Sequence, residues 1–180
     1  NSYQKYISDI TLLNKNIKDL ILDKNKIHEI AKKVKDIKNG FYLGRGIDEK
    51  VAREGSLKMK EVNYIHTEAL PAGELKHGSI ALIEKNVMVV GISTNLEMDE
   101  KVASNLKEVK ARGAYIIGVC KEGSLLPEVA DDSVVIKDSG ELLSPVLAVV
   151  VLQYLAYYTS LEKGLDVDKP RNLAKSVTVE

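Results

Sequence analysis

The sequence predicts an α/β fold built on a parallel sheet, and three observations carry that reading. Four short apolar runs, at 41–43, 87–92, 115–119 and 134–136, have the length and composition of strands. The two central runs are apolar throughout rather than alternating, as strands covered on both faces are. Segments with helical spacing separate them, at roughly 49–65, 97–112 and 142–162, and strand–helix alternation builds parallel sheets with right-handed crossovers. In such sheets, ligands sit beyond the carboxyl ends of the strands.

Ahead of the first strand, residues 3–38 read as two helices. Ile10, Leu13, Ile17, Leu20 and Ile21 recur at steps of three and four and share one face, and Ile27, Ile30, Ala31, Val34 and Ile37 repeat the pattern. The polar run 23–26 breaks them, with Asp23 or Asn25 as the cap of the second helix, and Asn39-Gly40 as its end. The lysines of this leader form a solvated face rather than a nucleic-acid arm, because the apolar face is continuous. At 97–112, Leu106 and Val109 mark one apolar face, and Gly113 stops the helix. The most apolar stretch, 145–158, is interrupted by Gln153 and is shorter than the ~20 residues a membrane helix needs, so it reads as a buried helix. The tail, 164–180, is polar, contains Pro170 and has no helical period.

A length of 180 residues favours a single domain over 1–180, with 1–38 as helical leader and 164–180 as tail. Lys plus Arg and Asp plus Glu number 26 each, giving zero net charge, which argues against nucleic-acid binding by bulk charge. Neither a secretory signal nor a membrane partner is indicated. The single cysteine, Cys120, excludes an intrachain disulfide and a cysteine-rich zinc site, and suits a reducing, cytoplasmic setting.

Several constellations could carry chemistry. Gly44-Arg45-Gly46 follows the first strand, but a dinucleotide fingerprint needs a third glycine where Glu49 stands; what is left is a tight strand-to-helix turn, or a turn whose backbone N–H groups face a ligand at a helix N-terminus. Glu54, Lys58 and Glu61 fall on one helix face, either as a surface ion-pair ladder or as a carboxylate held beside an ammonium in a cleft. His66, His77 and His28 fit no zinc spacing, and no metal or cofactor is expected. His77 lies in a polar turn, where a surface histidine or a proton shuttle both fit. Cys120 ends the third run and reads as a buried, inert thiol. Ser93-Thr94-Asn95 could hold phosphate or could cap the next helix.

Taken together, these segments are far more specific than any one alone. The run from Leu43 to Gly46, the run from Glu54 to Glu61 continuing to Tyr64-Ile65-His66, the run from Ala72 to Gly78, and the tail from Gly164 to Glu180 closely resemble the glucosamine-6-phosphate synthase family, also called glutamine–fructose-6-phosphate aminotransferases (isomerising). The resemblance runs in consistent order from about residue 40 to the end. It implies a sugar isomerase (SIS) domain, a three-layer sandwich with a five-stranded parallel sheet, and specifically the second of two such domains. The first SIS domain and an N-terminal glutaminase would be further parts of the full enzyme. The family's hydroxyl-rich phosphate loop belongs to that first domain, and Ser93-Thr94-Asn95 lacks its full pattern.

By the same resemblance, Glu61 is the base moving a proton between C1 and C2 of the open-chain sugar, with Lys58 beside it. Lys175, next to Ala174 in the tail, is the amine that forms a Schiff base with the ketose carbonyl. Substrate contacts are expected from Lys58, Glu61, Ala174 and Lys175. His77 assists ring opening and comes from the neighbouring subunit of a homodimer, for which the apolar helix 145–158 offers surface. The implied reaction converts fructose 6-phosphate and glutamine-derived ammonia to glucosamine 6-phosphate, with the isolated 180-residue chain inactive. The alternative is a non-catalytic SIS module that binds a sugar phosphate as a regulatory ligand. A base, a ring opener and an imine-forming amine together favour the enzyme.

Overall fold

The computed structural model describes residues 2–173. Five parallel strands form one sheet in the order β2-β1-β3-β4-β5: β1 (Asn39–Gly44), β2 (His66–Pro71), β3 (Val87–Ser93), β4 (Tyr115–Lys121) and β5 (Asp132–Ile136). Six α-helices accompany them: α1 (Ser2–Leu22), α2 (Asn25–Val34), α3 (Ile47–Asn63), α4 (Asp99–Lys110), α5 (Leu126–Val129) and α6 (Ser144–Glu162). All seven residues of β3 are buried, as the continuous apolar run at its centre predicts. On one face, Ile27, Ile30 and Val34 of α2, Ala52 and Met59 of α3, and Leu147, Val151 and Leu155 of α6 pack against Tyr42, Val90 and Ile117. On the other, Val102, Leu106 and Val109 of α4 and Leu126 of α5 cover Leu43, Val89 and Ile116. Apolar burial on both faces is the dominant favourable term for such a layer.

The residue pattern alone shows four strands, and the structure has a fifth. β2 is one of the two edge strands, and its exposed positions carry His66, Glu68 and Pro71, so it lacks an apolar run. The five-stranded expectation from the resemblance holds. Helix α3 ends at Asn63, so His66 opens a strand rather than continuing the helix. In the leader, Lys24 occupies the cap position of α2 and its carbonyl accepts the amides of Ile27 and His28; neither Asp23 nor Asn25 caps by side chain. That helix stops at Val34, and Asn39-Gly40 begins β1 instead of ending α2. Along α1, Leu13, Ile17 and Leu20 touch the core, but Ile10 and Ile21 are exposed, so the covered stripe is narrower than the spacing suggests.

Helix α6 is long and apolar enough to cross a membrane, yet most of it is packed inside the domain against α2 and α3. This burial also removes most of its apolar face as a docking surface; Val146, Tyr157 and Leu161 remain exposed.

Candidate active site

Helix α3 carries the central side chains, and its position is set at both ends. At its start, Gly44 lies so close to the first turn that an added Cβ would overlap the backbone of Asp48 and sit 2.7 Å from the Glu49 nitrogen. In mid-helix, Gly55 packs flush on Tyr42 and Leu152. At its end, the Ser160 hydroxyl donates to the Val62 carbonyl at 3.0 Å, and the Asn63 amide donates to the Ala156 carbonyl at 2.9 Å. The last carbonyls of a helix have no partners within it, so Ser160 meets a backbone need while locking α3 to α6. Ser56 and Thr67 bond each other across α3 and β2.

On this fixed helix, the Lys58 ammonium donates to Glu61 Oε2 at 2.6 Å and lies 3.8 Å from Glu54 Oε1. All three side chains are about one-third exposed, between 28% and 35%. The Glu61 hydrogen bond raises the Lys58 pKa, outweighing the opposing effect of burial, so Lys58 stays an ammonium at neutral pH. A permanently charged Lys58 is a donor and not an imine-forming amine. The sequence ladder is therefore a real cluster, with Lys58 at its centre.

Beyond Glu61 the chain turns sharply. Tyr64 adopts the left-handed conformation, φ 59°, which costs a non-glycine residue about 1–2 kcal/mol. Its hydroxyl accepts the amide of Arg171 at 2.8 Å, and the Arg171 guanidinium lies 4.1 Å over its ring. The first part of the tail is thereby seated at the end of α3, one turn from Glu61. Sequence reasoning quoted Tyr64 only as part of a motif and missed this contact. Lys175 and Ala174 lie outside the described residues.

His77 is not in this cluster. Helix α3 runs back from the carboxyl end of β1, so Glu61 lies at the amino-terminal edge of the sheet, roughly 20 Å along the helix from Ile47. His77 follows the carboxyl end of β2 and is exposed at the end of a 3-10 turn, Glu74–His77. The two residues belong to opposite ends of the same strand layer. Of five depressions in the described surface, none is lined by Lys58, Glu61 or His77; a groove of about 540 Å³ between α3 and β2 comes nearest in sequence, through Leu57 and Lys60.

The carboxyl ends of β1 and β3 hold two buried carboxylates that the sequence reading did not single out. Asp48 accepts the Thr94 amide at 2.8 Å and the Thr94 hydroxyl at 2.6 Å. Asp99 accepts the Ser93 and Ser124 hydroxyls, each at 2.6 Å, and the Leu125 amide at 2.6 Å. Burial pushes the Asp48 carboxyl up, against the lowering effect of the Thr94 bonds. Asn95 caps the short turn after β3 by accepting the Glu97 amide. The hydroxyls and amides after β3 are thus committed to internal partners, which decides between the two sequence readings in favour of the structural one. The signal available in the sequence was an acid in the first turn of each following helix. Cys120 is fully buried, and burial pushes its thiol up to about 11, as expected of an inert side chain. Among the described residues, no His, Cys, Asp and Glu group could hold a metal ion.

A profile of the SIS domain matches residues 33–163. The chain belongs to the SIS-domain family. The chain is 83% identical over 99% of its length to a glutamine–fructose-6-phosphate aminotransferase (isomerising) of Fusobacterium nucleatum, and 51% identical over 97% to the enzyme of that name from Caldanaerobacter subterraneus. It spans 29% of the length of each of these relatives. The C-terminal domain of glucosamine-fructose-6-phosphate aminotransferase from Francisella tularensis superposes with a TM-score of 0.82 at 38% identity, over 92% of this chain and 47% of that one. The SIS fold, the five-stranded sheet and the helical leader all agree with that neighbour.

Proposed function

We propose that this chain is the second SIS domain of a glutamine–fructose-6-phosphate aminotransferase, and that it carries the proton-transfer half of the isomerase site. The whole chain, 1–180, is then one unit whose leader and tail both serve that domain. The observation that carries the reading is the Glu61–Lys58 pair on a rigid helix end, with the tail seated against Tyr64 one turn away. Four residues separate Arg171 from Lys175, a span of at most about 14 Å, and the seating of Arg171 on Tyr64 supports a tail amine that acts beside Glu61.

The chemistry follows from these groups. His77 of the neighbouring subunit moves the proton that opens the furanose ring and frees the C2 carbonyl. The Lys175 amine condenses with that carbonyl, losing water. For amination, ammonia from the glutaminase part of the full enzyme takes its place, giving a C2 imine. Glu61 takes the C1 proton to give an enolamine, then returns a proton to C2 while the C1 hydroxyl becomes the aldehyde of glucosamine 6-phosphate. One carboxylate can serve both steps because the two carbons are adjacent. Lys58 holds that carboxylate in place.

A homodimer explains why Glu61 and His77 sit at opposite ends of one domain: each site would combine Glu61 of one subunit with His77 of the other. The committed Ser93 and Thr94 donors support a phosphate site contributed by the first SIS domain, so the 180-residue chain alone should show negligible synthase activity. A reducing, cytoplasmic setting suits the free Cys120. In the full-length enzyme, Glu61→Gln should abolish isomerisation while sugar binding remains measurable; unchanged turnover removes Glu61 as the base. A purely regulatory sugar-phosphate module would show no such dependence.

A further inference from the structure

We propose that Arg45 is a positioning residue for His77, holding the 74–77 turn at the height where its imidazole meets the partner site. The inference rests on the reading of His77 given above and adds a residue to it. The Arg45 guanidinium lies against Gly73, so close that a Cβ there would sit 3.0 Å from Nη2 and 3.6 Å from Cζ. Its Nη2 donates to the Asn105 side-chain oxygen at 3.2 Å, and its Nε is buried with no partner among the described residues. A planar, five-donor group pressed against a glycine is a spacer as well as a donor, which lysine cannot reproduce.

A second tie lies one helical turn further along α4. Lys76, immediately before His77, bonds Glu108 at 2.6 Å. Asn105 and Glu108 are three apart on α4 and share a face. Between the two ties, Leu75 is buried in the lower core. After His77, Gly78 takes φ 149°, a backbone available to glycine, and starts a second 3-10 turn. Within the turn, Leu75 is buried and Lys76 is tied to α4, while Glu74 and His77 are exposed. The exposed Lys76 pair contributes little by itself; the half-buried Arg45 clasp sets the geometry. It also explains the arginine in the Gly44-Arg45-Gly46 turn, which is not a nucleotide site.

The test is a double-mutant cycle in the full-length enzyme, with turnover of fructose 6-phosphate as the readout and binding of an acyclic hexitol 6-phosphate as the control. Arg45→Ala should lower kcat about 10- to 100-fold, the scale expected when a catalytic group is misplaced by about 1 Å. Affinity for the acyclic ligand, which needs no ring opening, should be unchanged. Combined with His77→Ala, the Arg45 substitution should add nothing further, because a positioning residue has no effect once its client is gone. Should Arg45→Ala fold poorly, Asn105→Ala and Arg45→Lys remove the anchor and the planar fork separately, and each should show the same non-additivity. Multiplicative losses in the double variants overturn the role of Arg45 while leaving His77 in place. Full turnover in His77→Ala alone overturns the reading of His77, and the proposal falls with it.

Discussion

Gly44→Ala tests how the fold fixes helix α3, which carries Glu61. The added Cβ would sit 2.7 Å from the Glu49 nitrogen and overlap the carbonyl of Asp48. Ordinary contact begins near 3.4 Å, so the first turn of α3 must retreat from β1 by roughly 1 Å. The obstacle is backbone, so no rotamer change relieves it. Overpacking of this kind costs about 3 kcal/mol, the upper end of the usual range. With a urea m-value near 2 kcal/mol per molar, the unfolding midpoint should fall by about 1.5 M. The same displacement moves Glu61 at the far end of the helix, so isomerisation in the full-length enzyme should drop about 100-fold. Gly46→Ala is the contrast. Among the described residues nothing lies within 4 Å of its Cβ position, so only its backbone, φ 59° with ψ −124°, resists substitution, at about 1–3 kcal/mol of local strain that leaves α3 in place. An unchanged midpoint for Gly44→Ala at equal m-value would refute the close approach of β1 and α3.

Lys58→Met should leave stability within about 1 kcal/mol, because the pair is about one-third exposed, while lowering full-length isomerisation about 100-fold; equal turnover would make the pair a surface ornament. Tyr64→Phe removes the acceptor of the Arg171 amide and should slow borohydride trapping of fructose 6-phosphate on Lys175 about fivefold, the equivalent of one hydrogen bond, and an unaltered rate would detach the tail from α3. Burial raises the Asp132 carboxyl, but hydrogen bonds from Lys33 and Tyr115 outweigh it and hold its pKa below the usual carboxylate range. A depressed folded-state pKa stabilises above the unfolded value, near 3.9, and that stability is lost as pH falls through the folded value. Asp132→Asn should therefore unfold at lower urea at pH 7 and match the parent near pH 2; an equal deficit at both pH values would contradict this.

The parts of the fold legible in the sequence were those governed by burial on both faces. Strands β1, β3, β4 and β5 announce themselves by apolar runs, α2 and α4 by one apolar face, and α6 by being apolar nearly throughout, with α3 read from its place between strands. Strand β2 did not, because the exposed His66, Glu68 and Pro71 interrupt it, whereas β5, the other edge strand, keeps the apolar run 134–136. The α2 cap was misread because the backbone at Lys24 supplies the turn without a side-chain bond. The Glu54–Lys58–Glu61 face was visible from spacing, but only the motif resemblance separated a base from an ion-pair ladder. Arg45, Asp48, Asp99 and the Tyr64–Arg171 contact escaped because each has a partner 25 to 107 positions away in the chain, although Asp99 also bonds Ser93 only six positions back.

The proposed homodimer shares each site between two subunits, with Glu61 and the tail from one and His77 from the other. Co-expression of full-length Glu61→Gln and His77→Ala chains tests it most directly. Each variant alone should be inactive. Random pairing makes half the dimers mixed, each with one intact site, so activity should return to about a quarter of the parent enzyme. A mixture as inactive as either variant alone would place both residues in the same subunit's site, against the geometry of the sheet.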